Sequence, residues 1–253
     1  MDVKAFIITL PTAVDRRAQV ERIKTLCPLA CEVIDAVDGR AMSENDRQKY
    51  VGSHLFRPHY PFSLRAGEVG HFLSQRKAWQ RIIDQQLDAA LLLEDDIELD
   101  TRVFNSGLRL AISRLDDVDI VKFRAPTRGR SDMHRGLSPL VHRPALAPLG
   151  TTSLLVTRGA AERLLSLTHT FDRPTDAFLQ LSWVTGIHPR IIIPAGVEEI
   201  SHRLGGSSIQ SKHRPIQETI YRNIARPIYR AKVNGLAHWT ELKRLYNLRR
   251  AAA

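Results

Sequence analysis

The sequence is poor in cysteine, with only Cys27 and Cys31 in 253 residues. Two thiols cannot build a disulfide framework, and no partners stand near them to complete a zinc site. Their setting, TLCPLACEVI, is apolar, so both are expected as small core side chains. Long hydrophobic runs are missing as well, and nothing approaches the roughly 18 to 20 apolar residues of a membrane span. The opening MDVKAFIITLP holds an apolar run too short for a signal peptide, with no small-residue cleavage site, which leads us to expect a cytoplasmic protein. Neither a low-complexity tract nor an internal repeat is found. No G-x-x-x-x-G-K-[ST] loop occurs and no G-x-G-x-x-G follows the first strand, which disfavours a P-loop ATPase and a dinucleotide dehydrogenase.

What is present is a globular composition, 43% hydrophobic and 25% charged, in a chain long enough to bury a sizeable core. The formal charge of +10 is unevenly placed. Between Lys212 and Arg250, ten Lys and Arg face only Glu218 and Glu241, so this stretch carries +8 of the total. The rest of the chain is close to neutral. The basic character therefore belongs to one surface and not to the whole protein, which weakens a nucleic-acid-binding reading. We expect a globular body over 1–211 and a basic amphipathic helical tail over 212–253.

Strand-like and helix-like segments alternate in the body. VKAFIITL (3–10), CEVIDAV (31–37), AALLLE (89–94), VDIVKF (118–123), TSLLVTR (152–158) and IIIP (191–194) read as strands. Apolar spacing predicts helices over 13–26, 67–86, 101–114, 158–168 and 174–184. The stretch 125–148 has the composition of a long loop. This order implies an α/β fold with a mostly parallel sheet covered by helices on both faces. Ligands of such sheets sit beyond the carboxyl ends of the strands. Three strand ends carry polar residues suited to that role: Leu10 to Arg17, Asp38-Gly39, and Glu94-Asp95-Asp96.

The last of these is unusual. ALLLEDDIELD sets a buried run against three consecutive acids, each costly to desolvate without a partner. A solvated turn is the plain explanation. A divalent cation with a phosphate group is the chemical one, since Mg²⁺ and Mn²⁺ bind through one or two carboxylates plus substrate phosphates. If the extended backbone continues, alternation places Glu94 and Asp96 on one side and Asp95 on the other.

The ordered blocks IITLPTAVDRR, AVDGR, LRAGEVGHFLSQRKAWQRII, AALLLEDDIEL, GTTSLLVTRGAAERLL and PTDAFL resemble those of glycosyltransferase family 25, the bacterial lipopolysaccharide and lipooligosaccharide sugar transferases related to collagen galactosyltransferases. The likeness covers roughly residues 3–210. One departure is HFLSQ at 71–75, where the family usually shows a Cys before and a His after the Leu-Ser. The resemblance implies a GT-A-like (Rossmann-like) fold, a UDP-sugar donor, most often UDP-galactose, and inverting transfer with Mn²⁺ (or Mg²⁺) bridging the diphosphate. Carried to this chain, it implies Asp96 as metal ligand, Glu94 at the ribose or the metal, and His202 completing the metal shell. Asp95, Leu10 and Arg16 would lie along the nucleotide, Asp38 near the uridine, and Gly205 and Ser207 in a backbone nest over the diphosphate.

Inverting transfer needs a base for the acceptor hydroxyl. Asp176 in RPTDAFL is the first candidate and Glu68 in AGEVG the second. Their structural alternatives are a helix N-cap for Asp176 and a dipole-favoured helix-start acid for Glu68. The tail interleaves Lys and Arg with Tyr221, Ile224, Ile228, Tyr229, Leu236, Trp239, Leu242 and Tyr246. That pattern suits an anionic membrane surface, where a lipid-linked saccharide acceptor would be found; packing on the body is the other reading. Two rival functions remain, a nucleic-acid-binding protein acting through the tail and a metal-dependent phosphoesterase.

Overall fold

The computed structural model describes residues 1–123, 138–204 and 216–251. Nine strands are found among them: β1 (Val3–Thr9), β2 (Cys31–Asp35), β3 (Ala89–Glu94), β4 (Ile97–Leu99), β5 (Ile120–Phe123), β6 (Leu140–His142), β7 (Ser153–Thr157), β8 (Arg190–Ile193) and β9 (Val197–Glu199). Seven of them form one sheet in the order β2-β1-β3-β7-β5-β8-β6, while β4 and β9 pair separately. β1, β2 and β3 are mutually parallel, β7 opposes both β3 and β5, β8 runs parallel to β5, and β6 opposes β8. Five of the seven strands thus point the same way, as a mostly parallel sheet requires.

Strand alternation divides the core between the two faces. Phe6, Ile8 and Leu92 pack with Phe72, Trp79 and Ile82 of α3 (Ala66–Asp84) and with Leu164 of α5 (Arg158–Leu167). Ala5, Ile7, Leu91 and Leu93 pack with Val20 and Ile23 of α1 (Arg17–Leu26) and with Phe104 and Leu108 of α4 (Thr101–Ile112). β3 is covered on both faces, which is why its sequence reads as one unbroken apolar run. Cys27 joins the second cluster and Cys31 packs against it, both as free thiols.

The helix expected over 13–26 opens with a 3-10 turn at Val14–Arg16 before α1 begins. A five-residue helix, α2 (Glu44–Gln48), is capped by the Ser43 hydroxyl. The segment 174–184 is not one helix but two single turns, α6 (Thr175–Phe178) and α7 (Ser182–Thr185). Ala177, Phe178, Leu179 and Leu181 are all buried. Four such neighbours cannot share one helix face, so packing overrides the helical spacing.

The basic tail forms α8 (Ile216–Ala251). One face of it is packed on the body, with Arg222, Tyr229, Val233 and Ala237 buried. The anchor is Arg173, which is fully buried. Its guanidinium pairs with Asp172 at 2.7 Å, donates to the Phe56 carbonyl at 2.9 Å and reaches the Tyr229 hydroxyl at 3.1 Å.

A close contact between two glycines aligns the end of β2 with α3. A Cβ on Gly70 would lie 2.5 Å from the backbone N of Gly39 and from the Val37 carbonyl oxygen. The Val37 N–H then donates to Ser74 Oγ at 2.8 Å. The AVDGR and GEVGHFLS motifs are therefore two halves of one contact. Gly70→Ala should lower the melting temperature by at least about 6 °C, because backbone on both sides cannot yield. Gly235→Ala on α8, where a Cβ meets nothing within 4 Å, should raise it by about 2 °C through helix propensity. Thermal unfolding of the two variants checks both signs.

Candidate active site

The strand order reverses at β1: the chain passes from β1 to β2 on one side and returns to β3 on the other. Open α/β sheets bind ligands outside the carboxyl ends of the strands at such a point. Here that place is occupied by Thr9 at the end of β1 and by Glu94, Asp95 and Asp96 at the end of β3. The antiparallel β7 brings its preceding residues to the same edge, so that the Glu94 N–H donates to the Thr152 carbonyl at 3.0 Å.

β3 ends at Glu94, and Asp95 and Asp96 form the turn into β4. Strand alternation therefore stops two residues short of Asp96, to which the sequence reading extended it. Glu94 faces α3 alone, while Asp95 and Asp96 both face Arg16. Asp95 accepts the Thr9 hydroxyl at 2.6 Å. The Arg16 guanidinium lies 3.5 Å from Asp95 and 3.7 Å from Asp96. Arg16 is buried in the 3-10 turn after β1, whereas Arg17 is exposed.

Asp96 is the least compensated of the three. Its Oδ1 is buried and accepts no hydrogen bond from the described residues. Burial and the neighbouring charges of Glu94 and Asp95 push its pKa up to about 7, against the opposing pull of Arg16. Burial also raises Asp95, with Thr9 and Arg16 acting against it. Among the described residues no three His, Cys, Asp or Glu side chains gather into a metal cluster.

Glu94 makes a different set of contacts. Its Oε1 lies 3.2 Å from His71 Nε2 and accepts the Thr151 hydroxyl at 2.9 Å. His71 Nδ1 is 3.4 Å from Thr175 Oγ1. Burial alone would lower the His71 pKa, but the hydrogen bond and charge of Glu94, with Asp176 and Glu68 farther off, raise it. The same pairing outweighs burial at Glu94 and holds its carboxyl low. The two side chains pair where the first turns of α3 meet the end of β3. Sequence reasoning did not select His71; it lay inside the departure from the family pattern, one helical turn before Gln75, where that pattern has its histidine.

The remaining candidates fall around this centre. Asp176 is not an N-cap, since Pro174 holds that position. Instead its carboxylate accepts the Gly150 N–H at 3.1 Å and the Ala177 N–H at 2.8 Å. Glu68 accepts the Arg65 N–H at 2.8 Å and so closes the first turn of α3. The Leu10 carbonyl accepts the Ala13 N–H at 2.9 Å in the turn leading to Arg16. Asp38 folds back on the Arg40 N–H at 2.9 Å, at the carboxyl end of β2. His202 is exposed in a 3-10 turn, Ser201–Arg203, and the Ile200 N–H before it donates to the Asp96 carbonyl at 2.7 Å. Gly205 and Ser207 lie outside the described residues.

Residues 2–179 match the family described as "Glycosyltransferase family 25 (LPS biosynthesis protein)". Procollagen galactosyltransferase 2 of Mus musculus is 28% identical over 117 residues, 45% of this chain and 18% of that protein. An inactive glycosyltransferase 25 family member 3 of Mus musculus is 31% identical over 124 residues, 47% of this chain and 20% of that protein. The chain thus spans about a fifth of the length of these curated relatives. A solved structure of a glycosyltransferase involved in glycosylating the major capsid of PBCV-1 aligns with a TM-score of 0.35 at 13% identity, covering 64% of this chain and 63% of that one. With more than half of its length matched to the family, this chain belongs to glycosyltransferase family 25.

Proposed function

We propose that the protein is an inverting glycosyltransferase that moves a sugar, galactose in the first instance, from a UDP-sugar to a saccharide acceptor of lipopolysaccharide or another surface glycan. The observation that carries this reading is the buried, uncompensated Asp96 Oδ1 at the switch point of the sheet. A carboxylate oxygen in that position suits a hard divalent cation, Mn²⁺ or Mg²⁺, that shares its ligands with a diphosphate. Asp96 would hold it, with Asp95 beside it and His202 on the adjoining turn. Such an ion, when bound, would supply charge stabilisation to a departing UDP.

The chain's own groups do the rest. Arg16 balances the acidic turn, and Leu10, Asp38 and Glu94 lie along the edge assigned to the nucleoside. The Glu94 carboxylate shifts His71 toward its cationic form, so the base is sought elsewhere. That leaves the proton of the acceptor hydroxyl to a carboxylate. Asp176 takes it in this reading, its carboxylate oriented by the Gly150 and Ala177 N–H groups, with Glu68 as the alternative.

α8 fits attachment to an anionic membrane that carries a lipid-linked acceptor. No helix among the described residues is long and apolar enough to cross a membrane. Ile224, Ile228, Trp239, Leu242 and Tyr246 fall on one side of α8 at helical spacing, each more than half exposed. Arg226, Arg230, Lys232 and Lys243 supply positive charge, with the Lys243 ammonium 5.6 Å from the Trp239 ring.

Three outcomes test this assignment. Asp96→Asn should abolish transfer and the Mn²⁺-dependent rise in melting temperature on adding UDP. Without metal the same variant should melt several degrees higher than wild type at pH 8. The Asp96 pKa is raised, so its ionised form costs stability fully above about pH 7 and progressively less toward pH 4. The gain should therefore fade as the pH falls to 5. Asp176→Asn keeps one of the two accepting oxygens, replaces the other with an amide nitrogen that cannot accept, and cannot take a proton. Transfer should fall by roughly 10² or more while UDP affinity is retained, and near-native transfer would hand the base role to Glu68. Finally, the protein should sediment with vesicles containing phosphatidylglycerol and not with phosphatidylcholine alone. Trp239→Glu combined with Leu242→Glu should release it; unchanged sedimentation would show that the stripe does not face lipid.

A further inference from the structure

A cleft of about 450 Å³ opens beside the first turns of α3, apart from the acidic turn. Glu44 and Gln48 of α2 line it, together with Tyr60 and Phe62 of the following segment, and Ala66 and Val69 of α3 form part of its wall. His71 and Glu68 belong to those same helical turns. Tyr60 stands between the two regions. It lines the cleft, and its hydroxyl is held well above the ordinary tyrosine range by burial and by the charges of Glu68 and Asp176.

The charged groups of the wall are already committed. Arg47 donates to the carbonyls of Gly39 at 3.1 Å and Met42 at 2.6 Å, and its guanidinium also pairs with Glu44. Asp172 pairs with the buried Arg173 and accepts the Leu55 N–H at 2.9 Å. Neither Arg47 nor Asp172 is left to recruit a counter-charge, so the cleft is poorly suited to a phosphate or a nucleotide. What lines it besides is Gln48, whose NH2 donates to Glu44 at 3.3 Å, with Ser53, Ser63 and the Tyr60 and Phe62 rings, which meet edge to face at 5.4 Å. Aromatic walls with a few polar groups bind a ligand that has apolar faces and hydroxyl edges.

We propose that this cleft is a subsite for a neutral sugar unit of the acceptor glycan, held beside the α3 start while the reacting hydroxyl is presented to Asp176. This rests on the glycosyltransferase reading for its place in the reaction, but its occupancy is measurable without turnover. The test uses the full chain and saturation-transfer NMR with methyl β-glucopyranoside, methyl β-galactopyranoside and diacetylchitobiose as probes, with UDP and Mn²⁺ titrated in parallel. Wild type should receive saturation from at least one probe. Ser63→Trp, which fills the cleft from an exposed position, should remove that signal, and Gln48→Ala should weaken binding by about threefold to tenfold. UDP affinity should stay within about twofold in both, as expected for separate sites. A wild type that binds none of the probes, or binding unchanged in both variants, overturns the subsite. Loss of UDP binding by the wild type would instead count against the transferase reading and leave the sugar result standing.

Discussion

Three adjacent carboxylates at the end of a buried strand repel one another and lose hydration together, and the fold around the switch point is organised by that cost. Each acid is met separately. Glu94 is turned toward His71 and Thr151, Asp95 toward Thr9, and Arg16 is shared between Asp95 and Asp96. These partners come from β1, the turn after it, α3 and the residue pair before β7, so the compensation draws four elements to one edge. Asp96 Oδ1 is left short, and the shortfall is where ligand chemistry enters.

That arrangement depends on α3 arriving at the right depth. The Gly39–Gly70 approach leaves no room for a side chain on either residue. It fixes the amino end of α3 against the carboxyl end of β2, and with it the height of His71 above the sheet. A small displacement of the helix would separate His71 from Glu94 and leave two half-buried polar groups without each other, which costs more than the pair itself contributes.

Much of this was legible in the sequence. The β-branched and leucine-rich runs located β1, β3 and β7, and the polar ends read at Leu10 to Arg17, Asp38-Gly39 and Glu94 to Asp96 follow the carboxyl ends of β1, β2 and β3. Periodicity failed where burial is not one-sided, as at Ala177 to Leu181, and where strands have three residues, as in β4 and β9. The partition of the acids could not be read at all, because it turns on where β3 stops. Extending the strand through Asp96 puts Asp96 beside Glu94; ending it at Glu94 puts Asp96 beside Asp95. His71 was hidden for a related reason. A histidine on an amphipathic helix has no sequence signature until its long-range partners, Glu94 and Thr151, are in place.

The buried Arg173 also sets an order of events during synthesis. Its guanidinium is satisfied by Asp172, by the carbonyls of Phe56 and Pro58, and by the Tyr229 hydroxyl. The first three partners leave the ribosome before Arg173 or beside it, but Tyr229 follows more than fifty residues later. Until then a fully charged side chain and the Tyr60 ring beside it lack their cover. α8 therefore completes the surroundings of Arg173 and Tyr60 only after the residues it covers have been made.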